Sequence, residues 1–285
     1  GTFHAVAHRT LRRHAAALGL PDGFGLLDQS DAADLVGLVR DEQRVAGPTG
    51  RFPRAATILD LYSRAVNTGR PLSDAVTEAA PWCAPLLDQI AAVCRGYVAR
   101  KRDAGVLDFD DLLLYWRAAV TDDRLGPRLA GDYDHVLVDE YQDVNTVQVD
   151  IVRALRVDDP RVSVVGDDAQ AVYGFRAASA QHLLDFPRHF PGSRVVTLVR
   201  NYRSTQQILD AANVVASRFT GRFDKTLVAT RPPGQRPELV SCHDEPGQTA
   251  AVCERVLDHL ESGLRLRDQA VLMRTAHHSD ALEIE

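Results

Sequence analysis

The feature that most constrains this chain is the run Val136-Leu137-Val138-Asp139-Glu140-Tyr141-Gln142-Asp143, an apolar strand that stops abruptly at adjacent carboxylates. Such a short branched apolar run fits a strand buried on both faces of a parallel sheet. Two further runs repeat the theme about 30 residues apart: Val162-Ser163-Val164-Val165 leads into Gly166-Asp167-Asp168-Ala169-Gln170, and Val195-Val196-Thr197-Leu198 leads into Val199-Arg200-Asn201-Tyr202-Arg203-Ser204. Helical spacing fills 147–155 and 180–186 between them. Strands alternating with helices predict an α/β fold whose parallel sheet is covered on both faces. Beyond Tyr202 the alternation predicts a helix over about 205–217, a strand near 238–241, a helix over about 247–261 and a strand over 270–273, the start of a second α/β unit.

The first half reads differently. Apolar residues at helical spacing predict an amphipathic helix over Ala5 to Leu18, ended by Gly19 and Pro21. Residues 28–105 read as helical throughout, with breaks at Gly47-Pro48, Gly69-Arg70-Pro71 and Ala80-Pro81 and no alternating stretch, the pattern of a helical insertion. Asp108 is the expected N-cap of a helix over 109–120, with Asp110 and Asp111 in its first turn, where the helix dipole favours negative charge.

Length and composition bound the rest. A chain of 285 residues, 45% hydrophobic, has room for two domains. Its apolar runs are far below the roughly 18 residues of a membrane span. The net charge of -6 excludes a uniformly basic, histone-like binder but leaves room for a local arginine-lined groove. Among 33 basic residues only Lys101 and Lys225 are lysines. Cys83, Cys94, Cys242 and Cys253 match neither zinc spacing nor a secreted disulfide framework, so a reducing cytoplasm is the expected setting. Gly1 in place of Met, and a helical pattern that stops at Glu285, lead us to expect a piece of a longer protein.

In an open parallel sheet, ligands bind beyond the carboxyl ends of strands. Asp139 is placed there to hold a nucleotide-bound Mg²⁺, and Glu140 to polarise an attacking water. The same pair equally describes a solvated turn. One strand on, an amide such as Gln170 can sense a terminal phosphate, while Tyr173 and Phe175 can stack on unpaired bases or simply cover a core. After the third run, an arginine can reach transferring phosphates and Tyr202 can pack on a purine, although an Arg-Tyr-Arg cluster also suits a solvated strand end.

Taken in this order, the motifs resemble those of superfamily 1 DNA helicases of the UvrD/Rep/PcrA family. Asp139 to Asp143 resembles motif II, Gly166 to Ala178 motif III and Asn201 to Ser204 motif IV; Thr2-Phe3-His4 with Ala7-His8-Arg9 resembles motif Ib, and Asp108 to Leu112 the acidic stretch before motif II. The resemblance implies RecA-like P-loop NTPase parallel sheets with a helical insertion, the first motor domain over 1–27 and 106–199, the insertion over 28–105, and an incomplete second RecA-like domain over 200–285. It implies ATP and Mg²⁺ as cofactors, Asp139 for the metal, Glu140 as general base, Gln170 and Arg203 at the γ-phosphate and Tyr202 against adenine. Thr2, Phe3, His4, Tyr173, Phe175 and Arg176 would face single-stranded DNA, and Arg176 would also link the two sites. The implied activity is ATP-dependent 3′ to 5′ translocation along single strands and at duplex junctions, in DNA repair, replication or recombination. The alternatives are the motor of a helicase-nuclease and a non-hydrolysing module that binds single strands.

Two departures stand out. Position 177 is Ala where the family commonly has Gly. The phosphate-loop pattern G-x-x-x-x-G-K-[ST] requires Gly before Lys, whereas Lys101 follows Arg100 and Lys225 follows Asp224. The chain alone is therefore expected to bind nucleotide poorly and not to turn it over. His4 with His8, and His277-His278, lack the partners of a zinc hydrolase, the Asp110-Asp111 pair is explained by helix capping, and no Gly-x-Ser-x-Gly elbow occurs.

Overall fold

The computed structural model describes residues 1–44, 52–157, 160–174 and 178–284. The chain forms two compact units, one of Gly1–Leu198 with Arg218–Lys225 and one of Val199–Ser217 with Thr226–Glu285.

The first unit opens with α1 (Phe3–His14), capped by the Thr2 hydroxyl, which accepts the Ala5 N–H at 3.2 Å. Strand β1 (Gly25–Leu26) precedes the helices α2 (Gln29–Glu42), α3 (Ala55–Thr68), α4 (Leu72–Ala79) and α5 (Leu87–Ala104), and β2 (Val106–Leu107) follows them. β1 and β2 pair in parallel, Gly25 with Val106 and Leu26 with Leu107, so the helical stretch leaves and rejoins the unit at adjacent points. The four helices own a core that includes Val36, Ile58, Leu61, Ile90, Val93 and Tyr97. The breaks at Gly69-Pro71 and Ala80-Pro81 fall between helices, and the expected break at Gly47-Pro48 lies outside the described residues.

Beyond β2 come α6 (Phe109–Thr121), α7 (Gly126–Gly131), β3 (Val136–Val138), α8 (Thr146–Leu155), β4 (Val162–Val164), α9 (Ala180–Leu184) and α10 (Phe186–His189). α6 begins where expected, with a capping box in which Asp108 accepts the Asp111 N–H at 2.8 Å and Asp111 accepts the Asp108 N–H at 3.1 Å. α6 packs between α1 and α8 through Leu11, Leu112, Leu113, Trp116 and Ile151, each contributing roughly 1.5–3 kcal/mol by burial. β3 and β4 pair in parallel, Val136 with Val162 and Val138 with Val164. Val138, Tyr141, Leu183 and Phe186 form a separate core on one side of that pair.

The second unit contains β5 (Arg200–Asn201), α11 (Gln206–Ala216), β6 (Val228–Ala229), α12 (Glu245–Glu261) and α13 (Asp280–Ile284), with β5 and β6 again parallel.

The parallel sheet expected to be covered on both faces is realised only in part, as separate parallel pairs. Leu137 is 75% exposed, so one face of the β3–β4 pair is open. The apolar runs 195–198, 238–241 and 270–273 are not strands: Leu198 is 76% and Leu239 and Leu272 are each 95% exposed, and hydrophobicity without a ladder partner does not make a strand. Residues 180–186 are not one helix either, because Pro187 lacks an N–H and restarts the chain as α10.

Candidate functional site

The carboxyl end of β3 is held in an unusual backbone. Glu140 has φ +51, the left-handed region that costs a non-glycine residue about 1–3 kcal/mol and recurs at functional sites. The turn is fixed from several sides: Asp139 Oδ1 accepts the Glu140 N–H at 3.0 Å, Tyr141 N donates to the Val165 carbonyl at 2.8 Å, and Asp143 N donates to the Glu140 carbonyl at 2.9 Å. Both Asp139 and Glu140 are exposed, and two adjacent oxygen donors at a strand end suit a hard cation such as Mg²⁺.

Gln142, only 1% exposed, joins this turn to the next strand end. Its Nε2 donates to Glu140 Oε2 at 2.8 Å, and its Oε1 accepts the Asp167 N–H at 3.0 Å. Gly166 makes room for it, since a Cβ there would lie 2.7 Å from Gln142 Oε1 and 3.2 Å from the Gln142 backbone nitrogen. Asp167 Oδ2 in turn accepts from Gln170 Nε2 at 2.8 Å, and Asp167 Oδ1 accepts from Ala169 N at 3.1 Å and from Lys225 Nζ at 2.6 Å. Lys225 also pairs with Asp168, whose other oxygen accepts the Phe223 N–H at 2.9 Å. Burial alone would raise the Asp167 carboxyl, but Lys225 and the Gln170 and Ala169 donors turn the net shift downward.

Glu140 and Gln170, separate in sequence, are thus brought into one hydrogen-bonded chain. Gln142 and Asp167 carry it and Lys225 holds Asp167; none of the three was assigned to the site from the sequence. The signals were present: an amide between two carboxylates in Glu140-Tyr141-Gln142-Asp143, and a lysine in a chain that has only two.

A second feature of the first unit is a cleft of about 880 Å³, lined by His4, Arg64, Asn67, Phe109, Asn145 and Tyr173 among others. His4 packs edge-on against Phe109 at 5.7 Å, and burial lowers its imidazole pKa. Tyr173 is 41% exposed at the cleft. The lining also carries Asp28, Asp60, Asp108, Asp110 and Asp143, which makes it hostile to phosphate. Of the other residues assigned to DNA, Thr2 caps α1, and Phe3 packs partly into the core with its ring 6.2 Å from Trp116. Phe175 and Arg176, like the Ala177 departure, lie outside the described residues.

Along the wall of the cleft, polar groups pin the helical stretch to α6 and α8. Asn67 of α3 donates to Asp110 Oδ1 at 2.7 Å, and Asn145, the N-cap of α8, donates to Asn67 Oδ1 at 2.7 Å. Lys101, 2% exposed, sits 2.5 Å from both Asp108 Oδ2 and Asp111 Oδ2, with the Tyr97 hydroxyl donating to Asp108 at 2.6 Å. Both lysines of the chain are therefore engaged by aspartates.

In the second unit, β5 leads into a turn in which Asn201 Oδ1 accepts the Arg203 and Ser204 N–H groups at 2.9 and 2.8 Å. That turn presents Tyr202, which is 72% exposed, and Arg203, also exposed, whose carbonyl accepts from Arg231 at 2.8 Å. No helix among the described residues is long and apolar enough to cross a membrane, and among them no group of three or more His, Cys, Asp or Glu is arranged to hold a metal.

Comparison with known proteins agrees with the motif order. Residues 1–191 match the UvrD/REP helicase N-terminal domain, and residues 196–285 match the UvrD-like helicase C-terminal domain. An ATP-dependent DNA helicase Rep of Salmonella typhimurium is 32% identical over 290 residues, covering 99% of this chain and 41% of the relative. An ATP-dependent DNA helicase UvrD2 of Mycobacterium tuberculosis is 36% identical, with the same 99% and 41% coverage. An ATP-dependent DNA helicase PcrA of Staphylococcus aureus is 30% identical, covering 99% of this chain and 38% of the relative. The chain thus spans about two-fifths of the length of these relatives.

Proposed function

The chain belongs to the UvrD/Rep helicase family, and from that premise we propose that it supplies part of an ATP-dependent motor that moves on single-stranded DNA, 3′ to 5′. The observation that carries this reading is the tie from Glu140 through Gln142 and Asp167 to Gln170, which joins two strand ends that ATP hydrolysis needs in register. We assign 1–27 and 106–199 to the first motor domain, 28–105 to its helical insertion and 200–285 to the second domain.

When bound, Mg²⁺-ATP supplies the phosphoanhydride whose cleavage drives the motor. Asp139 would hold the metal, its carboxylate being exposed at the strand end. Glu140 accepts the proton of the attacking water, its carboxylate steadied at Oε2 by Gln142. Gln170 offers an amide N–H to the terminal phosphate, Arg203 offers guanidinium donors, and Tyr202 offers a ring face to the base.

For the strand, His4 and Tyr173 present rings in a cleft whose carboxylates repel phosphate. Bases enter that cleft and the backbone stays outside, a mode of grip that tolerates any base. Because both lysines are tied to aspartates and neither follows a glycine, these 285 residues alone bind strands without hydrolysing ATP.

The test is anisotropy of a labelled oligothymidine titrated with the chain and with Tyr173→Ala, with and without Mg²⁺-ATP. The reading expects binding, a loss of affinity of about five-fold or more in the variant, and indifference to ATP. Binding that ignores Tyr173 contradicts the cleft assignment.

A further inference from the structure

Lys225 lies in Arg218–Lys225, a segment that folds with the first unit although its neighbours in sequence, Ser217 and Thr226, belong to the second. Its ammonium is partly buried, with the side chain 14% exposed, and it grips two consecutive carboxylates, Asp167 and Asp168, that are 29% and 5% exposed. Solvated lysines rarely take such a place, because removing the charge from water is costly unless its partners are well arranged. The segment is anchored a second time by the Phe223 N–H on Asp168.

What this clip does follows from the atoms it touches. Asp167 spends Oδ1 on Lys225 and Ala169 and Oδ2 on Gln170 Nε2, so the carboxylate that Lys225 fixes is the one that orients the Gln170 amide. Without Lys225, Asp167 and Asp168 would be two adjacent partly buried anions, which repel each other and any polyphosphate approaching Gln170. With it, one positive charge offsets them and the Asp167 carboxylate keeps one rotamer. Three residues beyond Lys225, β6 begins at Val228 and pairs with Arg200 of β5, the strand that leads to Tyr202 and Arg203.

Building on the assignment of Gln170 to the terminal phosphate, we propose that Lys225 is a positioning residue for the nucleotide chemistry. It fixes Asp167 so that the Gln170 amide is presented in one orientation, and it does so from a segment covalently continuous at both ends with the second unit.

The experiment uses the 285-residue chain and the side-chain amide resonances of Gln170, assigned by their loss in Gln170→Ala, together with hydrogen exchange over 167–172. Lys225→Met is expected to move the Gln170 amide pair toward free-glutamine shifts and to speed exchange over 167–172 by about ten-fold, with 109–121 unchanged. Lys225→Arg, which keeps the charge and donors, is expected to restore both. Should Lys225→Met unfold, Asp167→Asn, nearly isosteric, is expected to give the same Gln170 shift. Gln170 resonances and exchange left as in the parent chain by both Lys225→Met and Asp167→Asn would overturn the proposal.

Kinetics separate this from the reading beneath it. On the chain preceded by a phosphate loop, Lys225→Met is expected to lower kcat by about ten-fold with little change in KM, rescued by Lys225→Arg. An unchanged kcat beside a Gln170→Ala variant that is impaired defeats the role of Lys225 alone. An unimpaired Gln170→Ala variant defeats the phosphate assignment instead.

Discussion

Gln142 Nε2 donates to Glu140 Oε2 at 2.8 Å from a side chain that is only 1% exposed, so the carboxylate with the strained backbone is held by an amide that water scarcely reaches. Gln142→Ala removes that donor and also strands the Asp167 N–H. It is expected to lower stability by about 1–3 kcal/mol, read from urea denaturation. Gln142→Glu keeps the shape but sets a carboxylate against Glu140, and is expected to cost at least as much at pH 8. A stability equal to the parent chain in both variants would contradict the tie.

The Lys101 site makes a pH-dependent prediction. Lys101→Met leaves Asp108 and Asp111 buried without their cation and is expected to cost about 3–5 kcal/mol near neutral pH. Asp111 and Asp110 are already raised above the usual carboxylate range, by burial first and by the neighbouring Asp108 second. A carboxyl raised in the folded state contributes stability that is present below its unfolded pKa, about 3.9, and lost as pH rises through the folded pKa. The penalty of Lys101→Met should therefore shrink as pH is lowered from 8 toward 5. Denaturation at the two pH values checks this, and a penalty independent of pH would count against it.

Much of this arrangement was legible in the sequence where a local rule decides it. Asp108 reads as a cap because aspartate before a helical run, with Asp110 and Asp111 in the first turn, has few better uses; apolar spacing finds α8 and α11 to within a residue or so, whereas α1 starts two residues earlier and ends four residues sooner than the expected 5–18. β3 and β4 were legible because each run has the other to pair with. The runs 195–198, 238–241 and 270–273 misled because an apolar run carries no record of its partner. The partners of Asn67, Asn145, Gln142 and Lys225 were not legible for a related reason. Each acts through a contact distant in sequence, Asn145 with Asn67 across 78 positions and Lys225 with Asp167 across 58. Phe3, a motif position assigned to DNA, also packs its ring against Trp116, a contact 113 positions away that the motif does not announce.

Gly166 tests the closeness of the two strand ends. A methyl group there meets the Gln142 backbone nitrogen at 3.2 Å as well as its side-chain oxygen at 2.7 Å, and backbone cannot swing aside. Gly166→Ala is expected to destabilise by about 1–3 kcal/mol and to weaken the Gln142 bond to Asp167. The measurement is thermal denaturation, with amide exchange at Asp167 as the local readout.

The acidic cleft predicts a gain rather than a loss. Asp28 and Asp60 are exposed on its lining, so the double change Asp28→Asn, Asp60→Asn removes two repelling charges while leaving His4 and Tyr173 in place. Affinity for oligothymidine is expected to rise by about three-fold at low salt, and the gain to fade as salt screens it. Affinity that falls, or is indifferent at every salt concentration, would place the strand elsewhere.

The most direct test of the nucleotide assignment is DNA-stimulated ATP hydrolysis by this chain placed behind a phosphate loop, compared with its Glu140→Gln variant. Glu140→Gln keeps the size of the side chain and removes the base, so hydrolysis should fall by about 100-fold or more while Mg²⁺-ATP and single-stranded DNA remain bound. Hydrolysis that persists at the parent rate in Glu140→Gln would contradict the assignment of this strand end to catalysis.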